Sequence, residues 1–141
     1  MNLRVISSHA QAIQTAPILT AEEAVSIAKK LAPQFAERAA HAEKIRRVPD
    51  ESIDELNASG LMRLMQPKRF GGSELGLGVL MDVVLEICKG CASTAWVYSN
   101  LASHAWNIGQ FEMRAQEDVW GNDPFALAAT ALAFPCGKAV P

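Results

Sequence analysis

A chain of 141 residues, 50% hydrophobic and 20% charged, is long enough to bury one core and too apolar to remain disordered. Its 13 Lys and Arg against 15 Asp and Glu leave a formal net charge of −2, which offers no basic field to a nucleic-acid backbone or an anionic membrane. Three cysteines, an odd count, argue against a disulfide framework, and residues 1–20 lack the unbroken apolar run of a signal peptide, so the expected home is the reducing cytoplasm.

The first helix is announced by Thr20 with Glu23 three positions on, the pairing of a capping box. Ala24, Ile27, Ala28, Leu31, Phe35 and Ala39 repeat at the spacing of one buried stripe, and Arg46-Arg47 closes the helix where cations suit its negative end. Pro33 removes a backbone donor inside this pattern and predicts a kink. Pro49 and Asp50 open a short second helix to about Ser59, with Ile53 and Leu56 inward and Gly60 as its C-cap.

The apolar run Leu61-Met62-Arg63-Leu64-Met65 is short and is followed by Pro67, Gly71 and Gly72, so it reads as an extended connection. The glycine-rich stretch 71–78 lacks the Lys-Ser/Thr ending of a phosphate loop and reads as a loop with positive-φ positions. Leu80, Val83, Val84 and Ile87 then mark a third, mostly buried helix ending near Lys89. Ser93-Thr94 can cap a fourth, over residues 95–109, and a last amphipathic piece covers 112–120. After Asn122-Asp123-Pro124 the run 125–134 reads as a strand entering a sheet.

Residues 90–111 contain no Asp, Glu, Lys or Arg, so a helix through them is expected to be buried all round, yet it carries too many polar groups for a membrane span. At about 100° per residue, Trp96, Ser99, Asn100, Ser103, His104 and Asn107 share one side. Buried polar groups need partners, and either protein or ligand can supply them. An imidazole and an indole on one face suit an aromatic ligand with a polar tip, which makes Trp96 and His104, with Asn100 between them, the candidate substrate-binding residues.

Cys88-Lys89-Gly90-Cys91 has CxxC spacing, but Cys136, His9, His41 and His104 do not complete a metal set, and Cys88 falls at a helix end rather than a helix start. These cysteines read as small buried thiols, and no metal site is expected. No nucleophile elbow, zinc-protease or dinucleotide motif is present, so the residues alone name no catalytic group.

Cys91-Ala92-Ser93-Thr94-Ala95-Trp96-Val97, Ser103-His104-Ala105-Trp106, Pro67-Lys68-Arg69-Phe70-Gly71-Gly72, Glu117-Asp118-Val119-Trp120 and Pro135-Cys136-Gly137-Lys138-Ala139 resemble the N-terminal part of flavin-dependent monooxygenases built on the acyl-CoA dehydrogenase fold. These are the oxygenase components of 4-hydroxyphenylacetate and secosteroid hydroxylases and the dibenzothiophene monooxygenases. The resemblance implies a mainly α chain: an extension over 1–19, the helical N-terminal domain over 20–122, and the start of a truncated β-domain over 123–141. It implies hydroxylation of an aromatic substrate with O₂ and reduced flavin, FMN or FAD, delivered by a separate reductase. His104 would hydrogen-bond the substrate and Trp96 would form an apolar wall. Most flavin contacts in the family come from later parts, so this chain alone is expected to be inactive and to hold flavin poorly. Its uncovered apolar faces imply a homo-oligomer or a complementing partner. Two other functions remain open from the residues: an acyl-CoA dehydrogenase, or a helical interaction module without catalysis.

Overall fold

The computed structural model describes residues 17–129, and every regular element among them is helical. Helix α1 (Ala21–Ile45) starts on the expected capping box: the Thr20 hydroxyl accepts the Glu23 N–H at 3.2 Å and the Glu23 carboxylate accepts the Thr20 N–H at 2.8 Å. The bond from the Thr20 backbone, followed by that from its hydroxyl, holds the Glu23 carboxyl below its ordinary pKa. Pro33 lies inside α1 on its exposed side, and the helix continues through it as one element. The donor it lacks would have bonded exposed Lys29, where water can replace it. Arg46, in the left-handed region at φ +56°, ends the helix with its N–H on the Ala42 and Glu43 carbonyls.

Helix α2 (Asp50–Ala58) is tied to α1 by Arg38, whose guanidinium donates to both Glu55 carboxylate oxygens at 2.6 and 2.7 Å and to the buried Ser52 hydroxyl at 3.1 Å. The next segment corrects the sequence expectation. Leu61–Arg63 forms a 3₁₀ turn rather than an extended connection, followed by a second at Lys68–Phe70, and residues 61–67 are buried. Leu61, Met62, Leu64 and Met65 supply a share of the core that neither helical nor strand spacing announces.

Helix α3 (Leu77–Cys88) lies between α1 and α4 (Ala92–Gly109), and these two pairings make up most of the helix packing. Leu80, Val83 and Ile87 of α3 join Ala28, Phe35, Tyr98 and Ala102 in one cluster. The expectation of a mostly buried α3 holds for that face only, since Leu77, Met81 and Leu85 point outward. Short α5 (Met113–Trp120) is the last helix among the described residues.

The turn from α3 to α4 takes three residues. A Cβ on Gly90 would lie 2.0 Å from the Ala32 carbonyl oxygen, so the absence of a side chain lets this turn sit directly on α1. That tight turn moves the start of α4 forward: Cys91 is its N-cap, and Ser93 and Thr94 fall inside its first turn instead of capping it. Cys91 is a buried thiol as expected, whereas Cys88 is exposed. Residues 125–129 carry no strand, and the rest of the expected strand to residue 134 lies outside the described residues. No helix among the described residues is long and apolar enough to cross a membrane.

Candidate functional site

Helix α4 divides its two faces sharply. Thr94, Ala95, Tyr98, Ala102 and Ala105 point inward and are buried. The Tyr98 hydroxyl donates to the Leu61 carbonyl at 3.3 Å, and burial pushes its pKa far up. On the other side Trp96, Asn100 and His104, spaced four residues apart, form one stripe along the helix.

The expectation that α4 is buried all round is overturned here. Trp96 is 73% exposed, Asn100, Trp106 and Asn107 are exposed, and Ser99, Ser103 and His104 are half-buried. The physical reason is that lack of charge is not the same as need for burial. Three of the stripe's polar side chains are satisfied on their own helix: Ser99 Oγ and Asn100 Nδ2 donate to the Trp96 carbonyl at 2.8 and 2.9 Å, and Ser103 Oγ donates to the Asn100 carbonyl at 3.0 Å. An uncharged helix of this kind can stand open while keeping its short polar side chains folded back, which leaves the indole and the imidazole as the larger features of the surface.

A cleft lies toward each end of α4, the first of them bordered by the stripe's Trp96. At the N-terminal end, Trp96 and Val97 face Ala42, Arg46 and Arg47 at the end of α1 across a cleft of about 510 Å³. At the C-terminal end, Trp106 and Gln110 face Pro67, Arg69 and Leu75 across about 310 Å³. The three candidates therefore sit together on one face, with Trp96 bordering the first cleft.

The polar residues that hold this scaffold were not identified from the sequence. Gln66 is buried, and its Nε2 donates to the Phe70 and Pro124 carbonyls at 2.7 and 2.8 Å. Arg63 donates to the Gly71 carbonyl and lies 4.8 Å over the Phe125 ring, and desolvation lowers its pKa. Gln116 is buried on α5 and bonds to Arg69 and to the Gly109 and Phe111 carbonyls. The available signal for Gln116 was its register, one helical turn before buried Trp120 on the inward side of α5.

The α4 stripe does not make a flavin site by itself. The stripe is open, its amide and hydroxyl donors are turned onto helix carbonyls, and residues 90–111 bring no cation to meet a phosphate. Among the described residues there is also no group of three or more His, Cys, Asp or Glu placed to hold a metal ion.

Residues 20–121 match the family described as acyl-CoA dehydrogenase, N-terminal domain. The chain is 36% identical over 136 residues to the oxygenase component of p-hydroxyphenylacetate 3-hydroxylase from Acinetobacter baumannii, an alignment covering 96% of this chain and 31% of that protein. It is 42% identical over 93 residues to the oxygenase subunit HsaA of a flavin-dependent monooxygenase from Rhodococcus jostii, covering 66% of this chain and 24% of the relative. The crystal structure of the HsaA monooxygenase from M. tuberculosis superposes with a TM-score of 0.74 at 33% identity, over 77% of this chain and 30% of that one. The chain thus spans about a quarter to a third of the length of the relatives it matches.

Proposed function

Because the chain belongs to the acyl-CoA dehydrogenase family through its N-terminal helical domain, we propose that it is the substrate-side helical part of the oxygenase component of a two-component, flavin-dependent aromatic hydroxylase. The observation that carries this reading is the match, across nearly the whole chain, to an oxygenase component named for a phenolic substrate. A second relative, from a Rhizobium strain, is named an FADH(2)-dependent resorcinol hydroxylase, oxygenase component, so reduced flavin and a phenol recur in the relatives' names.

On this reading the α4 stripe is one wall of the substrate pocket. Trp96 gives an apolar, aromatic surface for a ring to stack on, and His104, two turns further along, hydrogen-bonds the ring's polar substituent. Asn100 lies between them and keeps the stripe polar, with its amide drawn back to the Trp96 carbonyl until a ligand offers a better partner. The remaining pocket walls and most contacts to the flavin, FMN or FAD, belong to parts of the protein beyond this stripe. No oxygen-transfer step is assigned to the described residues. A separate reductase supplies the reduced flavin, residues 123–141 lead into the next domain, and the protein works in the cytoplasm.

The outward apolar residues support the same assembly. Leu77, Met81 and Leu85 on α3, and Trp96, Trp106 and Phe111 at and beyond α4, are large side chains left in contact with water in this chain alone. Covering them with the following domains and with further copies of the protein makes a homo-oligomer.

The test is a hydroxylation assay. The protein is purified as its own gene encodes it and supplied with O₂, chemically reduced FMN or FAD, and p-hydroxyphenylacetate or resorcinol. The expected result is a product carrying one added oxygen. Oxidation of an acyl thioester without hydroxylation of either phenol would replace this reading with that of an acyl-CoA dehydrogenase.

A further inference from the structure

The two halves of α4 are held in different ways. Its first part packs on α3 through Ala95, Tyr98 and Ala102, whereas no side chain after Ala105 is buried, so its last turn depends less on the core. What fixes that turn is backbone accounting. Of the last four carbonyls, which lack intrahelical partners, Trp106 O accepts Gln110 Nε2 at 3.5 Å, Asn107 O and Ile108 O accept the Gln110 and Phe111 N–H groups at 3.1 and 3.0 Å, and Gly109 O accepts Gln116 Nε2 at 3.1 Å. The same Gln116 nitrogen donates to Phe111 O at 2.6 Å, and the Gln116 oxygen accepts from Arg69 in the Pro-Lys-Arg-Phe-Gly-Gly loop. Gly109 lies against Pro67 of that loop so closely that a Cβ there would be 3.3 Å from the proline ring.

We infer that Gln116 is a positioning residue for the substrate wall: its amide latches the end of α4 to the 67–72 loop and so sets where His104 stands. His104 is five residues before Gly109, about one and a half turns, and adjoins Ala105, the last buried residue of α4, so it stands at the boundary where a shift or twist of the last turn meets the core-packed part of the helix. An amide is the required chemistry, because one end must donate to two carbonyls while the other accepts from a guanidinium. This inference rests on the stripe's being the substrate wall.

The experiment is a double-mutant cycle on phenol affinity, measured with p-hydroxyphenylacetate and the protein as its gene encodes it. Gln116→Met keeps the volume and removes all three bonds. It is expected to weaken binding about tenfold, an ordinary coupling strength, and to cause no further loss when His104 is already alanine. Gln116→Glu still accepts from Arg69 but cannot donate to the two carbonyls, so it is expected to behave like Met. Arg69→Met, at an exposed position that leaves the core intact, covers the case in which the Gln116 variants do not fold, with about a threefold loss in the same direction. Equal losses from Gln116→Met or Arg69→Met with and without His104, or wild-type binding by Gln116→Glu, would overturn the inference while leaving the pocket reading intact. If His104→Ala alone binds the phenol as wild type does, the pocket reading fails and the inference falls with it.

Discussion

The loop over residues 60–76 and the outward stripe of α4 are both rich in polar groups, yet they spend those groups in opposite ways. In the loop, polar side chains reach across the chain: Gln66 to Pro124, Arg63 to the Phe125 ring, and the Ser73 hydroxyl to the Leu19 N–H at 2.9 Å. In the stripe, Ser99, Asn100 and Ser103 reach no further than their own helix. Bonds that join distant segments specify the fold, and removing one leaves a buried group unpaired. Bonds to the helix's own carbonyls can be exchanged for water or a ligand at little cost. The loop is therefore the structural polar region, and the stripe is the one free to serve function.

Substitutions can break or sharpen that contrast. The largest effect is expected at Gly72, where a Cβ would sit 2.0 Å from the Gln66 carbonyl oxygen. Gly72→Ala must push the two sides of the loop apart and is expected to cost about 3 kcal/mol, the upper part of the overpacking range, read as a lowered urea midpoint.

A smaller effect is expected where the loop meets α4, at Tyr98. Tyr98→Phe removes one of the two donors to the buried Leu61 carbonyl, which keeps the Leu64 N–H at 3.1 Å, and is expected to cost about 1 kcal/mol. The pH dependence carries a sign as well. Burial raises the folded-state pKa of Tyr98 above the ordinary 10.0, so its contribution is complete below that pH and is lost as pH rises beyond it. Wild-type stability should fall on the alkaline side above about pH 10, and the Phe variant should lack that part of the fall, as alkaline melts would record. On the stripe, Ser103→Ala is expected to change stability by less than about 0.5 kcal/mol in the same melts. A larger loss there would mean that the stripe, too, holds the fold.

The sequence was readable where structure is decided locally. The start of α1 follows from Thr20 and Glu23, and the periodic apolar residues locate α3, α4 and α5 to within a few residues. It was least readable where distant segments decide. Leu61 to Met65 have no period, and only packing by α2 and α4 against Leu61–Arg63 makes that run a buried turn. The cap of α4 moved to Cys91 because Gly90 can touch Ala32, a contact between residues 58 positions apart. The charge-free run 90–111 suggested full burial because hydrophobic and uncharged look alike in composition. The back-bonding of Ser99, Asn100 and Ser103 tells them apart only once the helix is built. Trp96, Asn100 and His104 could be placed on one face from spacing alone, whereas Gln116 could not be seen as a latch until Arg69 and the end of α4 came together around it.

The central claim is that the α4 stripe serves a ligand rather than the fold, and His104→Ala tests it most directly when phenol affinity and thermal stability are measured on the same sample. The account predicts a loss of affinity of about tenfold, the value of one hydrogen bond at a binding site, with stability within about 0.5 kcal/mol of wild type. Unchanged affinity with a clear loss of stability would contradict it and make His104 part of the scaffold.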